Sequence, residues 1–315
     1  MSETKHLFKM KLAPWALLAV AAAWGWAFVI MKDAIQRQSV NNFLFTRFLL
    51  GAVVMVLIRP KVLSLLSKDI LMRAGAAGTF LGLGFIFQTL GLDRTGAAIT
   101  GFVTGLYVVL TPLIAWLVLK QKVNRFTWIC IAIATVGLGL LSIRGFTVGI
   151  GELLVFMSAI CFACHIISLS NWSSGRDVYA MTVVQLFMCA ALAGIASIPE
   201  GYSPPPDAGV WGVVIFTAVF ATVIAFIIQT WAQAHMSPTK VAVILTMEVV
   251  FAAFFAIIFG GERLTLQSAI GGILVVTAMY LIVIKESKYP QNPKTPIRQG
   301  KLIKLKMKTA NATSS

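Results

Sequence analysis

The feature that most constrains this chain is a series of long, nearly uncharged apolar runs. A helix needs about 20 apolar residues to cross the hydrocarbon core of a bilayer, because it rises about 1.5 Å per residue. Polar, glycine or proline residues separate the runs, as at Lys32-Asp33 and Arg59-Pro60. The sequence therefore predicts an all-α polytopic membrane protein. Its ten transmembrane helices, called spans 1 to 10, are predicted at 13–32, 42–59, 73–92, 97–119, 125–143, 150–170, 178–198, 209–233, 239–260 and 266–284.

The composition excludes other classes of chain. Of the 315 residues, 58% are hydrophobic and 12% are charged, whereas soluble domains average about 45–50% and about 25%. The runs lack the period-2 alternation of membrane β-barrel strands. The net charge of +15 does not indicate nucleic-acid binding, because no stretch interleaves basic and aromatic residues. The four cysteines lie within apolar runs and predict no disulfide framework.

The distribution of basic residues predicts the orientation in the membrane. If the N-terminus is cytoplasmic, most Lys and Arg residues fall in cytoplasmic segments, where polytopic proteins carry their basic excess. The outer loops then hold five basic residues, namely Lys32, Arg37, Arg94, Arg144 and Arg263. We therefore expect a multi-pass protein of the inner or plasma membrane with both termini in the cytoplasm. Span 1 is longer than the core of a signal peptide, so we expect it to be retained.

The two halves of the chain share a weak internal similarity. A shift of 141 residues aligns Gln88-Thr89 with Gln229-Thr230, and Val108-Val109 with Val249-Val250. Five spans in each half predict a duplication whose second copy is inverted, because each copy crosses the membrane an odd number of times. Inverted repeats are typical of transporters that work by alternating access.

This interpretation divides the chain into four parts. They are a cytoplasmic N-terminus, two inverted five-helix repeats and a basic cytoplasmic tail that we expect to be disordered: 1–12, 13–143, 150–285 and 286–315.

Several segments resemble the EamA-type members of the drug/metabolite transporter superfamily. They are WGWAFVIMK in span 1, TRFLLGAV in span 2, GFVTGLYVVLTPLIAWLVLKQKV in span 4 and SPTKVAVILTMEVVFAAFFAIIFGGERLT in and before span 9. The resemblance implies ten helices, cytoplasmic termini, a central cavity and the movement of small metabolites or drugs, often outward. The substrates of such proteins range over amino acids, nucleosides, sugars and toxic cations.

Glu248 is the sharpest candidate for a functional residue. It lies near the middle of span 9, where a charge costs at least about 2.5 kcal/mol. Such a carboxyl faces the bundle interior or water, and burial favours its protonated form, so it could exchange a proton during transport. The alternative is a structural carboxyl that neighbouring hydroxyls satisfy.

Arg47 and Pro112 are candidates for conformational roles. The long side chain of Arg47 in span 2 either snorkels to the outer headgroups, or forms an ion pair at an outer gate or contacts an anion. Pro112 removes one backbone hydrogen bond from span 4, so we expect a kink there. The kink either acts as a hinge or only shapes the bundle.

Further cavity candidates are polar and aromatic residues within the spans. Gln88 and Gln229 occupy matched positions in spans 3 and 8, and they either face the cavity or join helices. Trp24 and Tyr107 could stack on a planar or cationic substrate, with core packing as the alternative. Thr104 lies on a face of small residues in span 4 that either flanks a pore or packs closely against another helix.

Together these observations predict a secondary transporter of a small organic metabolite or drug, such as an amino-acid-like or toxic compound. We expect efflux by alternating access, with proton coupling through Glu248, and import or uniport as the alternative. A polytopic membrane enzyme would need His, Asp or Ser clustered at helix ends, and a passive channel would show flux that does not saturate. We expect no enzyme activity, no metal and no cofactor. The expected partners are the solute, a proton and membrane lipid, with no nucleic acid, and the sequence leaves the oligomeric state open.

Overall fold

The protein is a bundle of helices in its computed structural model, which describes residues 2–120, 124–144, 147–173, 175–233 and 244–288. The helices are α1 (Ser2–Arg37), α2 (Val40–Ile58), α3 (Lys68–Arg94), α4 (Ala97–Gly105), α5 (Tyr107–Leu119), α6 (Arg125–Ser142), α7 (Ile150–Trp172), α8 (Val178–Ser197), α9 (Ala208–Ala218), α10 (Ala225–Gln233), α11 (Met247–Ile258) and α12 (Leu266–Lys288).

Shorter elements connect these helices. Single 3-10 segments follow α2 and α8, at Pro60–Leu65 and Ile198–Glu200. A π-helical segment, Val219–Ile224, joins α9 to α10 without a loop. Between α6 and α7, β1 (Ile143–Arg144) pairs antiparallel with β2 (Thr147–Val148).

Hydroxyl and carboxylate side chains begin several of the helices. Each accepts a hydrogen bond from the backbone N–H three residues further on, which satisfies one of the amides that a helix start leaves without an intrahelical partner. The capping residues are Ser39 for α2, Ser67 for α3, Asp177 for α8 and Asp207 for α9.

The helices confirm the predicted polytopic α-helical fold. Within the described residues, seven helical stretches are long and apolar enough to cross a membrane, and three apolar helices are shorter, at Arg125–Leu141, Met247–Ile258 and Leu266–Ile282. The count of ten spans and the inversion of the halves remain predictions. Helix α1 already begins at Ser2, ahead of the predicted start of span 1. The basic tail beyond residue 288 lies outside the described residues.

Polar contacts gather one set of helix ends, which we call the Glu262 end. Lys32 at the end of α1 donates to the Thr95 carbonyl at 2.8 Å and lies 3.7 Å from the Glu262 carboxylate. Glu262 also accepts from the backbone N–H groups of Ala97 and Ala98, at 2.5 and 3.2 Å. It therefore caps the start of α4 from the far half of the chain.

The opposite set of helix ends forms the Asp177 end. Arg59, just after α2, pairs with Asp177 at 3.0 Å, and Arg176 pairs with Asp69 at the start of α3. The first four helices therefore alternate in direction, as a chain that crosses a membrane repeatedly requires.

Glycines allow two helices to approach α11 closely. A Cβ atom added at Gly25 of α1 would lie 2.7 Å from the backbone N of Ala252 and 2.7 Å from Cβ of Phe251. A Cβ atom at Gly101 of α4 would lie 2.6 Å from Cβ of Ala252. Ala252 of α11 is thus held between α1 and α4, a packing mode that small residues permit between membrane helices.

We expect Gly25→Ala to destabilise the protein, because the added methyl group would meet the backbone of α11. Overpacking of this kind typically costs about 1–3 kcal/mol. Thermal unfolding of the purified protein in detergent measures the effect. Gly212→Ala is the matched control, since nothing lies within 4 Å of a Cβ atom there. Equal midpoints for the two variants would contradict the close approach of α1 and α11.

Asp207 predicts an acid-dependent contribution to stability. Its carboxylate accepts from the Val210 N–H at 3.0 Å and pairs with Arg37 at 2.8 Å. The Val210 N–H, with Arg37, holds the pKa of Asp207 below its usual value. A lowered pKa in the folded state means that this contribution is present above the ordinary carboxyl pKa of about 3.9 and is lost as the pH falls through the lowered value.

Asp207→Asn keeps a capping side chain but removes the ion pair, so we expect a smaller loss of stability on acidification than in the unmodified protein. Asp207→Ala removes both contacts and should lower the unfolding midpoint at pH 7 further than Asp207→Asn does. Unfolding midpoints measured from pH 7 downward test both statements. An unchanged acid profile in Asp207→Asn would refute the role of the pair.

Candidate functional site

Spans 4 and 9 each contain a short interruption of regular α-helical hydrogen bonding, at a residue that keeps right-handed helical dihedral angles. In span 4, α4 ends at Gly105 and α5 begins at Tyr107, and the N–H of Leu106 donates to the carbonyl of Val103 at 3.2 Å. In span 9, residues 244–245 are helical, Thr246 forms a turn and α11 begins at Met247. The 141-residue shift between the halves brings the two interruptions to within about one residue. These local irregularities are milder than the discontinuous helices of transporter binding sites, but like them they fall in corresponding positions of the two halves.

Tyr107 and Glu248 lie next to these interruptions. Each lies in the first turn of the helix that follows the break, and the 141-residue shift aligns one with the other. The two side chains are close enough to interact electrostatically. Across the described ranges, the Glu248 side chain forms no ion pair.

The two predicted glutamines differ in their contacts. Gln88 of α3 donates from Nε2 to Oγ1 of Thr104 at 3.1 Å, and both side chains are buried. This bond joins α3 to α4, as the helix-joining interpretation predicts. Gln229 of α10 keeps a buried Oε1 atom that has no hydrogen-bond partner among the described residues. It therefore has an acceptor free for another group.

Trp24 contacts the π-helical segment of span 8. Its Nε1 donates to the carbonyl of Ala221 at 2.8 Å, and its ring meets Phe226 edge to face. The ring also packs on a small cluster that includes Leu245, just before the interruption of span 9. The polar edge of this indole is thus committed to the protein, while stacking on a solute stays a prediction.

Arg47 is buried, with 4% of its surface exposed. Its Nε and Nη2 atoms donate to the hydroxyl of Thr222 in the π-helical segment, at 3.4 and 3.2 Å. The rings of Phe48 and Phe85 lie 5.1 and 5.2 Å from its guanidinium carbon. This environment does not fit the snorkelling interpretation, because the side chain is enclosed by protein. No acidic side chain of the described residues pairs with it, so the predicted ion pair has no partner there.

Pro112 lies inside α5, whereas the interruption of span 4 falls at Leu106. The break therefore precedes the proline instead of coinciding with it, and the hinge role of Pro112 remains a prediction.

The predicted site residues form two neighbourhoods. One holds Glu248 and Tyr107 at the helix interruptions. The other holds Arg47 and Trp24, which bind adjacent residues of the π-helical segment. A cleft of about 470 Å³ lies elsewhere, at the Glu262 end, and Lys32 and Glu262 line it. In the part of the chain that the structure describes, no three His, Cys, Asp or Glu side chains lie together as metal ligands would.

Sequence reasoning missed three parts of this arrangement. It did not single out Thr222, the π-helical segment, or the contact of Lys32 with Glu262. Only Lys32 and Glu262 carried a signal, since each is a charge at the edge of an apolar run.

We expect Trp24→Phe to destabilise the protein, because it leaves the Ala221 carbonyl without its indole donor. Loss of one partner from a buried hydrogen bond costs about 1–3 kcal/mol. Unfolding midpoints in detergent test this, with Trp15→Phe as the control, since Trp15 is 71% exposed. A midpoint for Trp24→Phe equal to that of the control would show that the bond contributes nothing.

The matches to known proteins cover most of the chain. Two segments, residues 11–143 and 149–284, each match the EamA-like transporter family. An uncharacterized transporter of Archaeoglobus fulgidus is 31% identical over 278 residues, which cover 88% of this chain and 87% of the relative. The uncharacterized transporter YoaV of Bacillus subtilis is 22% identical, covering 84% of this chain and 94% of the relative. One solved crystal structure superposes with a TM-score of 0.60 at 18% identity, covering 88% of this chain and 98% of that chain.

Proposed function

Because the chain belongs to the EamA-like transporter family, we propose that it is a secondary transporter that exports a small organic metabolite or drug across the inner or plasma membrane. The observation that carries this proposal is the placement of Glu248 and Tyr107 at matched interruptions of spans 9 and 4. An intramembrane carboxyl at a break in a helix is costly to keep and is therefore a candidate for solute or proton binding.

We propose ten spans in two inverted repeats, 13–143 and 150–285. The packing of the helices supports this arrangement. Each span has its counterpart five spans away in the other half. Exchanging every span with its counterpart maps the contact between spans 3 and 6 onto the contact between spans 8 and 1. The contact of span 1 with span 9 likewise becomes that of span 6 with span 4. The contacts of span 2 with 7, 4 with 9 and 5 with 10 map onto themselves.

The interaction of Tyr107 with Glu248 fits the same symmetry. Residues at equivalent positions of two repeats meet only if they lie near the axis that relates the repeats. A solute site at this axis would be shared by both repeats, as alternating access around a fixed site requires.

Alternating access also needs contacts that close each end of the bundle. At the Glu262 end, the second half holds the first through Lys32 with Glu262, and through the Thr95 hydroxyl, which donates to Glu152 at 2.9 Å. At the Asp177 end, Arg59 pairs with Asp177. We propose that the contacts at the Glu262 end and those at the Asp177 end open alternately. With both termini in the cytoplasm, the Glu262 end faces outward.

Proton coupling is assigned to Glu248. Proton entry and solute binding would compete for the same carboxyl, so that an inward proton gradient drives export of the solute. Uniport is the alternative mechanism, in which neutralising Glu248 would leave the response to the gradient unchanged.

The test is transport by Glu248→Gln. A screen of metabolites and toxic compounds, in cells with and without the protein, first identifies an exported solute. Glu248→Gln should then lower the flux about tenfold or more, the equivalent of one hydrogen bond to a charged group, and should remove its dependence on the proton gradient. Membrane expression is measured in parallel.

Glu200→Gln is the matched control, because Glu200 is an exposed carboxylate in the 3-10 segment after α8. It should transport like the unmodified protein. Normal flux and normal pH dependence in Glu248→Gln would overturn the role of this carboxyl, and a solute whose flux does not saturate would indicate a channel.

A further inference from the structure

The guanidinium of Arg47 lies in a neutral environment at the centre of the bundle. Its two acceptors are the Thr222 hydroxyl, at 3.2–3.4 Å, and the sulfur of Met31, at 3.5 Å. Both acceptors are uncharged, and all three contacts are long for hydrogen bonds to a cation. The thiol of Cys189 also lies within electrostatic range, and it carries no formal charge in its protonated form.

Nothing in the described part of the chain neutralises this charge. An arginine side chain remains protonated in proteins, so it cannot shed its charge as a buried lysine can. A buried charge is stable only when it is paired or fully hydrogen-bonded. The two phenylalanine rings supply cation–π attraction, but they bring no opposite charge that would neutralise the guanidinium.

The guanidinium also has more N–H donors, five, than the three side-chain contacts described above use. Phe48 and Phe85 pack around the guanidinium within cation–π distance. Its five N–H donors point outward in the plane of the group, the direction in which a carboxylate or phosphate binds with two parallel hydrogen bonds. Thr222 takes only one acceptor position on that edge, and its hydroxyl also donates to the carbonyl of Thr217 at 2.9 Å.

We propose that Arg47 binds an anionic group, a carboxylate or another oxyanion, of the transported solute, and that the solute displaces the hydroxyl of Thr222 from the guanidinium. This inference rests on the proposed function and narrows its substrate class to zwitterions, since a purely anionic solute would not compete with a proton for Glu248. Thr222 lies in the π-helical segment, so binding of the anion would release α2 from span 8 and couple solute binding to movement between the halves.

The test compares probes that share one apolar body and differ in charge. Purified protein in detergent is titrated with L-phenylalanine, 3-phenylpropionate and L-phenylalaninamide, and with L-alanine, propionate and L-alaninamide. Binding is read from the rise in the unfolding midpoint, which grows with ligand concentration over the dissociation constant. We expect at least one amino acid to raise the midpoint, and the amide with the same body to raise it less, because the amide keeps the ammonium group but lacks the carboxylate.

Variants of Arg47 separate charge from packing. Arg47→Gln should abolish the rise caused by the carboxylate. Arg47→Lys keeps the charge but loses the bidentate edge, so we expect it to bind the carboxylate about tenfold more weakly. The control Arg73→Gln removes an exposed arginine of α3 and should respond like the unmodified protein.

Thr222→Val distinguishes ligand binding from a purely structural role of the Arg47–Thr222 contact. Without the competing hydroxyl, the midpoint in the absence of probe should fall, while the rise caused by the carboxylate should be kept or increased. If the contact is only structural, Thr222→Val should lower the unfolding midpoint by the same amount with and without the probe.

The inference is overturned if no amino acid raises the midpoint, if the amides act equally, or if Arg47→Gln keeps the response. Transport that persists in Arg47→Gln with the same preference for carboxylates would also overturn it, while leaving the proposed transport intact. Failure of the proposed function would instead appear as an absence of any transported solute in the screen.

Discussion

The interior of a bilayer offers no water to satisfy a backbone amide or carbonyl, and this constraint governs the rest of the structure. Regular helices meet it without help, because their hydrogen bonds are internal. Every departure from the α-helix must then find a partner within the protein. The π-helical segment in span 8 is such a departure, and the indole of Trp24 binds its Ala221 carbonyl. Irregular backbone lies where side chains can compensate for it.

Charge follows the same constraint. Ion pairs lie at the two ends of the bundle, where exposed pairs such as Arg37 with Asp207 cost little to form. Arg47 and Glu248 lie within spans 2 and 9, and no ion pair joins them among the described residues. They lie in separate neighbourhoods of one bundle. Placing opposite charges apart, neither of them ion-paired within the described part of the chain, is costly for folding and suits a site whose counterions arrive with a ligand.

The positions of the spans could be predicted because apolar length is a direct consequence of bilayer thickness. The 141-residue alignment places Tyr107 and Glu248 at equivalent positions, so their proximity could have been inferred from it. That inference also requires both positions to lie near the axis that relates the repeats. The break at Thr246 could not be predicted, because no proline or glycine marks it. The burial of Arg47 could not be predicted either, because the sequence does not show whether an arginine side chain extends to the headgroups or packs against aromatic rings. Thr222 carries no sequence signal, because a hydroxyl in an apolar helix is common.

The close approach of α1 and α4 to α11 has a mechanical consequence. Gly25 and Gly101 approach Ala252 so closely that a Cβ atom added at either glycine would overlap it. If this packing makes the three helices move together, they form one body although α11 comes from the other half of the chain. The bodies that rock against each other would then be assembled across the duplication, and the boundary between them would not follow the midpoint of the polypeptide.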